Sequence, residues 1–276
     1  MAHSRMLWMA AVGAIVLVVF VATLTFAVRA VEPQFAFFPT SGEDVTPRDF
    51  GQRFDAVTIA TADGERLHAW HLPAESPRAQ IVYFHGNGGN LSVWAPILAA
   101  LPRRSYSVLA VDYRGYGLST GHPSERGLYR DVDAVLEHAW RNRDPRIPIV
   151  YWGRSLGTTM AAYAAGMKAP DRIILESGFP DVTAVVRSSP LLVLLTPFST
   201  YRFPTAALMR GVRTPVLVMH GDRDRVIPFD LGRALFERLE GPKRFVTISG
   251  TDHNDATPHD VDAYWSAVDR FIAGGP

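Results

Sequence analysis

The stretch Ile149-Val150-Tyr151-Trp152-Gly153-Arg154-Ser155-Leu156-Gly157-Thr158-Thr159-Met160 decides the reading of this chain. The apolar run from Ile147 to Trp152 has the length and character of a buried strand. The small-residue run from Thr158 to Ala165 has the character of a helix. Between them lies Gly153-Arg154-Ser155-Leu156-Gly157, a sharp turn with a serine at its apex. The apex residue of such a turn is strained, and a side chain at either flanking position would collide with the crossing strand and helix, hence the glycines. The hydroxyl is then raised above the sheet. The Leu156 amide falls at a helix N-terminus, where it is placed to stabilise a developing oxyanion. A bare G-x-S-x-G also fits an ordinary glycine-rich turn, so the remaining sequence must supply a base, an acid and a second donor.

Outward from this point, strands alternate with helices. Phe54–Ala60 and Leu67–Leu72 read as an antiparallel pair about Asp63-Gly64. Further strands are expected at Gln80–Phe84, Ser107–Val111, Arg172–Glu176, Pro215–Met219 and Arg244–Ile248. Helices are expected at Val93–Leu101, Ser124–Arg141, Phe229–Leu239 and Val261–Ile272. The alternation implies an α/β fold, a mostly parallel, doubly wound sheet with helices on both faces. Function in such a sheet sits at the C-terminal ends of the strands. Four of those ends carry suggestive loops: His85–Asn90, Asp112–Gly117, His220–Pro228 and Gly250–Asp255.

Together these motifs resemble the α/β-hydrolase superfamily, in particular its membrane-anchored branch with serine aminopeptidase-like domains. Asp112-Tyr113-Arg114-Gly115-Tyr116-Gly117-Leu118-Ser119, the Ser155 pentapeptide, His220-Gly221-Asp222-Arg223-Asp224 and Asp252-His253-Asn254 fall in family order over about residues 50–272. The resemblance implies a catalytic triad of Ser155, His253 and Asp224. Ser155 is a poor nucleophile at neutral pH and needs a base, which His253 would supply. Nine histidines compete for that role. His85 and His220 match family positions that are usually structural, and the others lack a matching motif. The family pattern His-Gly-x-x-Asp-x-x-x-Pro selects Asp224 as the acid, leaving Asp222 as a turn-stabilising aspartate. Asp252 and Asp255 read as hydrogen-bonding residues of the histidine loop. The family also places the second oxyanion amide just after His-Gly, at Asn87, with Gly88 and Gly89 letting the backbone approach substrate. Arg154 reads as a packed or salt-bridged residue.

Leu7 to Val28 is apolar except for Thr23 and Thr25 and carries no charge. As a helix its 22 residues span about 33 Å, enough for a bilayer core. The expectation is an uncleaved anchor over residues 1–29, a connector over 30–53 with Pro33, Pro39 and Pro47, and a catalytic domain over 54–276. A cleaved signal peptide is the competing reading. The start amine favours the N-terminus inside and the catalytic domain on the outer side. Phe35, Phe37 and Phe38 read either as membrane-interface residues or as packed on the domain, and packing is the expectation.

Composition narrows the chemistry. A net charge of +1 without like-charge runs offers nothing to nucleic acid. The absence of cysteine excludes disulfides, thiolate metal sites and a cysteine nucleophile. No cluster has metal-ligand spacing, and no cofactor is implied. Within the insertion Ser177–Thr214, Pro190–Phe198 is strongly apolar and reads as a small lid over an acyl pocket, as a helix lying against the membrane, or equally as a core-packed helix. Lid and anchor together point to a small-molecule or lipid ester or thioester as substrate. The alternatives are a peptidase using the same triad and a non-catalytic, membrane-tethered binding module on a hydrolase scaffold.

Overall fold

In a computed structural model the described residues are 2–187, 199–255 and 260–274. The apolar stretch Pro190–Phe198 therefore lies outside the described residues. Eight strands form one sheet: β2 (Asp55–Ala60), β3 (Arg66–Leu72), β4 (Ala79–Phe84), β6 (Tyr106–Val111), β7 (Ile149–Arg154), β8 (Arg172–Glu176), β9 (Val216–Gly221) and β10 (Lys243–Ile248). A short parallel ladder of β1 (Phe38–Pro39) and β5 (Gly88–Gly89) lies apart from it. The sheet order is β10-β9-β8-β7-β4-β6-β3-β2. β2 and β3 are antiparallel, β3 runs antiparallel to β6, and every other pairing is parallel.

The central strands are apolar on both sides because both faces are covered. Val82 and Phe84 of β4 and Tyr151 of β7 face one core. Helices α3 (Glu125–Arg141), α4 (Leu156–Met167) and α7 (Phe229–Arg238) fill it with Leu128, Val132, Met160 and Leu235. Ile81 and Tyr83 of β4 and Val150 and Trp152 of β7 face the other core, filled from α2 (Leu91–Ala100) and α8 (Val261–Ile272) by Leu91, Leu98, Tyr264 and Val268. Two short helices, α5 (Val182–Arg187) and α6 (Thr205–Leu208), lie between β8 and β9. Several helices begin at side-chain caps: Asn90 accepts from the Ser92 amide, Ser124 from Gly127 and Asp260 from Ala263.

The winding explains where a site can form. From β4 the chain steps to β6 on one side, and from β7 it steps through β8, β9 and β10 on the other. The loops leaving β4 and β7, which are neighbours in the sheet, therefore diverge and open a crevice at their C-terminal ends.

The N-terminal helix α1 (Ala2–Ala36) is longer than the apolar run alone suggests. It passes Arg29 and continues through Pro33, which sits in its last turn. Its stretch Arg5–Gln34 is long and apolar enough to cross a membrane, with none of its most apolar window buried against the domain. Thr23 and Thr25 donate their hydroxyls to Val19 O and Val21 O, so the two polar side chains of the run are satisfied within the helix. Of the aromatic residues that follow, Phe37 is packed at 3% exposure, whereas Phe38 is 56% exposed, a departure from the expectation that both pack.

The elbow glycines are fixed by backbone, not by flexible neighbours. A Cβ on Gly157 would stand 2.0 Å from Phe84 O, and one on Gly153 would stand 2.1 Å from Gly157 O. Gly153→Ala is expected to destabilise the fold by about 3 kcal/mol, read as a lowered denaturation midpoint; an unchanged midpoint would refute the packing argument.

Candidate active site

Ser155 follows β7 directly and precedes α4, with φ 53° and ψ −118°. A non-glycine residue at that φ needs outside support. The Ser155 amide donates to Glu176 O at 2.8 Å, and its carbonyl accepts from the Thr158 amide and from the Thr158 hydroxyl. Leu156 is the first residue of α4, where an amide has no partner within the helix. On the β4 side, His85-Gly86-Asn87 runs past the serine so closely that a Cβ on Gly86 would lie 3.4 Å from Ser155 Cβ.

The structure brings Ser155, His253 and Asp224 into one line. Ser155 Oγ lies 3.0 Å from His253 Nε2, and His253 Nδ1 lies 2.7 Å from Asp224 Oδ2. With the proton on Nδ1 donated to the carboxylate, Nε2 is left to accept from the serine hydroxyl. All three residues are buried. Asp224 sits just beyond β9. Its Oδ1 accepts from the Val226 and Ile227 amides, and its Oδ2 also has His220 Nε2 at 3.3 Å. Burial pushes its pKa upward, but the hydrogen bonds from His220, His253 and the Ile227 amide outweigh burial and hold the carboxyl well below the usual range.

The other candidates are accounted for. Asp222 Oδ1 accepts from the Gly250 amide, a loop-closing bond. Asp252 accepts from the amides of Arg225 and His253, and its own amide donates to Asp255. His85 is fully buried, with Nδ1 at 2.6 Å from Gly86 O and its ring against Tyr113; burial lowers its pKa and keeps it neutral. His68 and His71 lie on β3 and His138 on α3, while His259 falls outside the described residues. Gly88 and Gly89 pair with Phe38 and Pro39 of the same chain, a partner that the sequence does not announce.

Arg154 is the packed, salt-bridged residue that the sequence suggests, and its partners reach further than sequence reasoning could place. Its Nη1 pairs with Glu176 Oε1 at 3.1 Å, both side chains being buried. Its Nη2 donates to the carbonyls of His253 and Asp255 at 3.0 and 3.1 Å. Glu176 Oε2 accepts from Trp152 Nε1 and from the Tyr264 hydroxyl. The guanidinium lies 4.9 Å from the centroid of the Trp94 ring. Glu176 went unnoticed in the sequence, although an acid closing the apolar strand Ile173-Ile174-Leu175 is a signal of a buried, partnered carboxylate. Among the described residues no group of histidine and acidic side chains is arranged to hold a metal ion.

A strained serine between a central strand and its helix, hydrogen-bonded to a histidine after the last strand of a doubly wound sheet, defines an α/β hydrolase. Residues 75–214 match the sequence model of the serine aminopeptidase, S33, family. The chain is 31% identical over 266 residues to an uncharacterized protein of Mycobacterium tuberculosis, covering 95% of this chain and 94% of that one. It is 30% identical over 252 residues to an uncharacterized membrane protein of Saccharomyces cerevisiae, covering 88% of each. Among solved structures it resembles an esterase of Pyrococcus furiosus, with TM-score 0.71 at 18% identity over 87% of this chain and 98% of that one. It also resembles the esterase domain of a Rhodothermus marinus protein, with TM-score 0.60 at 22% identity over 80% and 97%. The chain belongs to the serine aminopeptidase (S33) family of α/β hydrolases.

Two outcomes test the electrostatics of this site. Arg154→Met leaves Glu176 buried without its cation and is expected to cost about 3–5 kcal/mol of stability, with Arg154→Met/Glu176→Gln recovering part of it in chemical denaturation. Asp224 has a depressed pKa, so it contributes stability above the unfolded carboxylate range near 4 and loses it as the pH falls further. From about pH 4 downward, the wild type should therefore lose more unfolding free energy than Asp224→Asn; parallel pH profiles would refute this.

Proposed function

We propose that this chain is a membrane-anchored serine hydrolase that cleaves carboxylic esters or thioesters of lipophilic acyl groups through an acyl-enzyme. The observation that carries the reading is the unbroken line from Ser155 Oγ through His253 to Asp224. Ser155 Oγ attacks the acyl carbon while its proton passes to His253 Nε2. Asp224 stabilises the resulting imidazolium, and the amides of Leu156 and Asn87 receive the charge on the carbonyl oxygen. Collapse of the tetrahedral intermediate breaks the bond to the leaving alcohol or thiol, which takes the proton from His253. Water then attacks the acyl-serine by the same proton path in reverse, releasing the acid and restoring Ser155.

Support for a lipophilic acyl group comes from two apolar segments, Pro190–Phe198 in the insertion and the run Leu7–Val28. The anchor reading is supported by the exposed apolar surface of α1, including Leu17, Phe20 and Phe26, and by the membrane-protein description of the yeast relative. In this reading the N-terminus is cytoplasmic and the hydrolase domain lies outside. The family name favours one second reading, an amide hydrolase acting on peptides.

Full-length protein in detergent is expected to react with a fluorophosphonate probe, and Ser155→Ala to lose both labelling and ester turnover. Asp224→Asn should lower kcat by about 10⁴-fold. A series of p-nitrophenyl esters should give rising kcat/KM from acetyl towards medium chains, with aminoacyl amides cleaved far more slowly. Faster cleavage of the amides would transfer the assignment to a peptidase. A folded wild type that neither labels nor turns over would leave a binding module.

A further inference from the structure

The end of α1 and the segment that follows it are bonded to the loop after β4 and to the insertion before β9. At the end of α1, Ala36 O accepts from Asn87 Nδ2 at 2.7 Å. Phe38 and Pro39 pair with Gly88 and Gly89, and the Thr40 amide donates to Gly89 O at 3.0 Å. Asn90 Nδ2 donates to Thr40 O at 3.3 Å and to Gly42 O at 2.9 Å. Gly117 closes the far side, donating its amide to Thr40 O and accepting from Gly42 N. In the insertion before β9, the Glu32 carboxylate accepts from the hydroxyls of Ser199 and Thr200 and from the Thr200 amide, while Phe37 packs edge-on against Tyr201 and Phe203.

Outside the strap, the loop being gripped is held by the Tyr113 hydroxyl on His85 O and the Tyr116 hydroxyl on Asn87 O and Oδ1, and its glycines leave the stretch beyond Asn87 to the strap. His85–Asn90 contains glycine at 86, 88 and 89, and glycine imposes little conformational preference. An oxyanion donor works only if it is fixed before the reaction, because reorientation during it would cancel the electrostatic gain. We propose that residues 32–42 are a positioning strap. They hold the Asn87 amide in its oxyanion-stabilising position and tie the mouth of the site to the membrane-proximal end of α1. The inference rests on the roles assigned above to Ser155 and Asn87. Val28, the last residue of the apolar run, precedes Ala36 by eight residues, about 12 Å of helical rise. The strap thus sets the entrance at the bilayer surface, where an amphiphilic ester arrives with its acyl chain still in lipid.

Asn90 separates the strap from the rest of the machinery. Its Oδ1 caps α2 by accepting from the Ser92 amide, while its Nδ2 serves only the strap carbonyls. Asn90→Asp keeps an acceptor for the cap and sets an oxygen against the two strap carbonyls; Asn90→Ser keeps an acceptor and replaces the two-proton amide that serves both carbonyls by a shorter side chain with a single hydroxyl proton. With the full chain in phospholipid nanodiscs and p-nitrophenyl butyrate as probe, Asn90→Asp is expected to lower kcat about 10- to 100-fold. KM should stay within about twofold, because the lost interaction is made only in the transition state. Asn90→Ser should fall between it and the wild type, and it carries the test if the aspartate variant does not fold. Wild-type kcat in the serine variant, or a raised KM with unchanged kcat, would overturn the strap. Ser155→Ala is run alongside. If it keeps wild-type turnover, the triad assignment fails. If it abolishes turnover while the Asn90 variants match the wild type, the strap alone fails.

Discussion

A guanidinium buried beneath the histidine loop joins the three pieces of chain on which the site depends. Arg154 belongs to the elbow, Glu176 to the neighbouring strand, and the carbonyls of His253 and Asp255 to a loop about a hundred residues further on. Burying such a pair is costly, and a hydrophobic replacement of similar volume is often no less stable. What the pair supplies is direction. A guanidinium presents donors in a fixed planar fork, so one edge can answer a carboxylate while the other turns two carbonyls of a coil segment towards it. No apolar pair could orient that loop.

The same economy of position appears in the sheet. β4 and β7 are neighbours whose following loops leave in opposite directions, so the crevice needs no residues of its own to open it. Gly157 allows the start of α4 to lie against the end of β4, and Gly86 allows the β4 loop to pass beside Ser155. Ser155 and the proposed oxyanion loop are therefore neighbours by topology, and only Asp224 and His253 must be brought in from the ends of β9 and β10.

These features were not equally legible. The strands and helices could be read in advance because each depends on local pattern, apolar runs bounded by glycine; the grouping of Ser155, His253 and Asp224 was implied by the resemblance of the motifs at successive strand ends to those of α/β hydrolases. The pairing of Gly88 and Gly89 with Phe38 and Pro39 was hidden for a physical reason. Glycines in a loop signal close backbone approach but not what approaches, and here it is Phe38 and Pro39 of the same chain. The length of α1 was hidden similarly. Pro33 reads as a break, yet a proline in the last turn sacrifices one backbone bond near an end that frays in any case. The Arg154–Glu176 pair was half legible: either residue alone announces a buried charge, but 22 residues separate them and nothing local joins them.

Hydrogen-bond geometry, not spacing, distinguishes Asp222 from Asp224. Two residues apart, both follow β9 and both reach the loop after β10. Asp222 uses an oxygen to hold the Gly250 amide, which fixes the turn leaving β10. Asp224 has its outer oxygen held by the amides of Val226 and Ile227, which leaves Oδ2 aimed at His253. His220 completes the arrangement. Its Nε2 lies 2.9 Å from Ile227 O as well as 3.3 Å from Asp224 Oδ2, so the peptide that donates to the acid is itself tied to the strand carrying it. A Cβ on Gly232 would meet the His220 ring, so α7 has a glycine where it crosses this histidine. A carboxylate held at both oxygens cannot rotate away from the imidazole beside it, and the proton relay proposed for His253 would require that immobility.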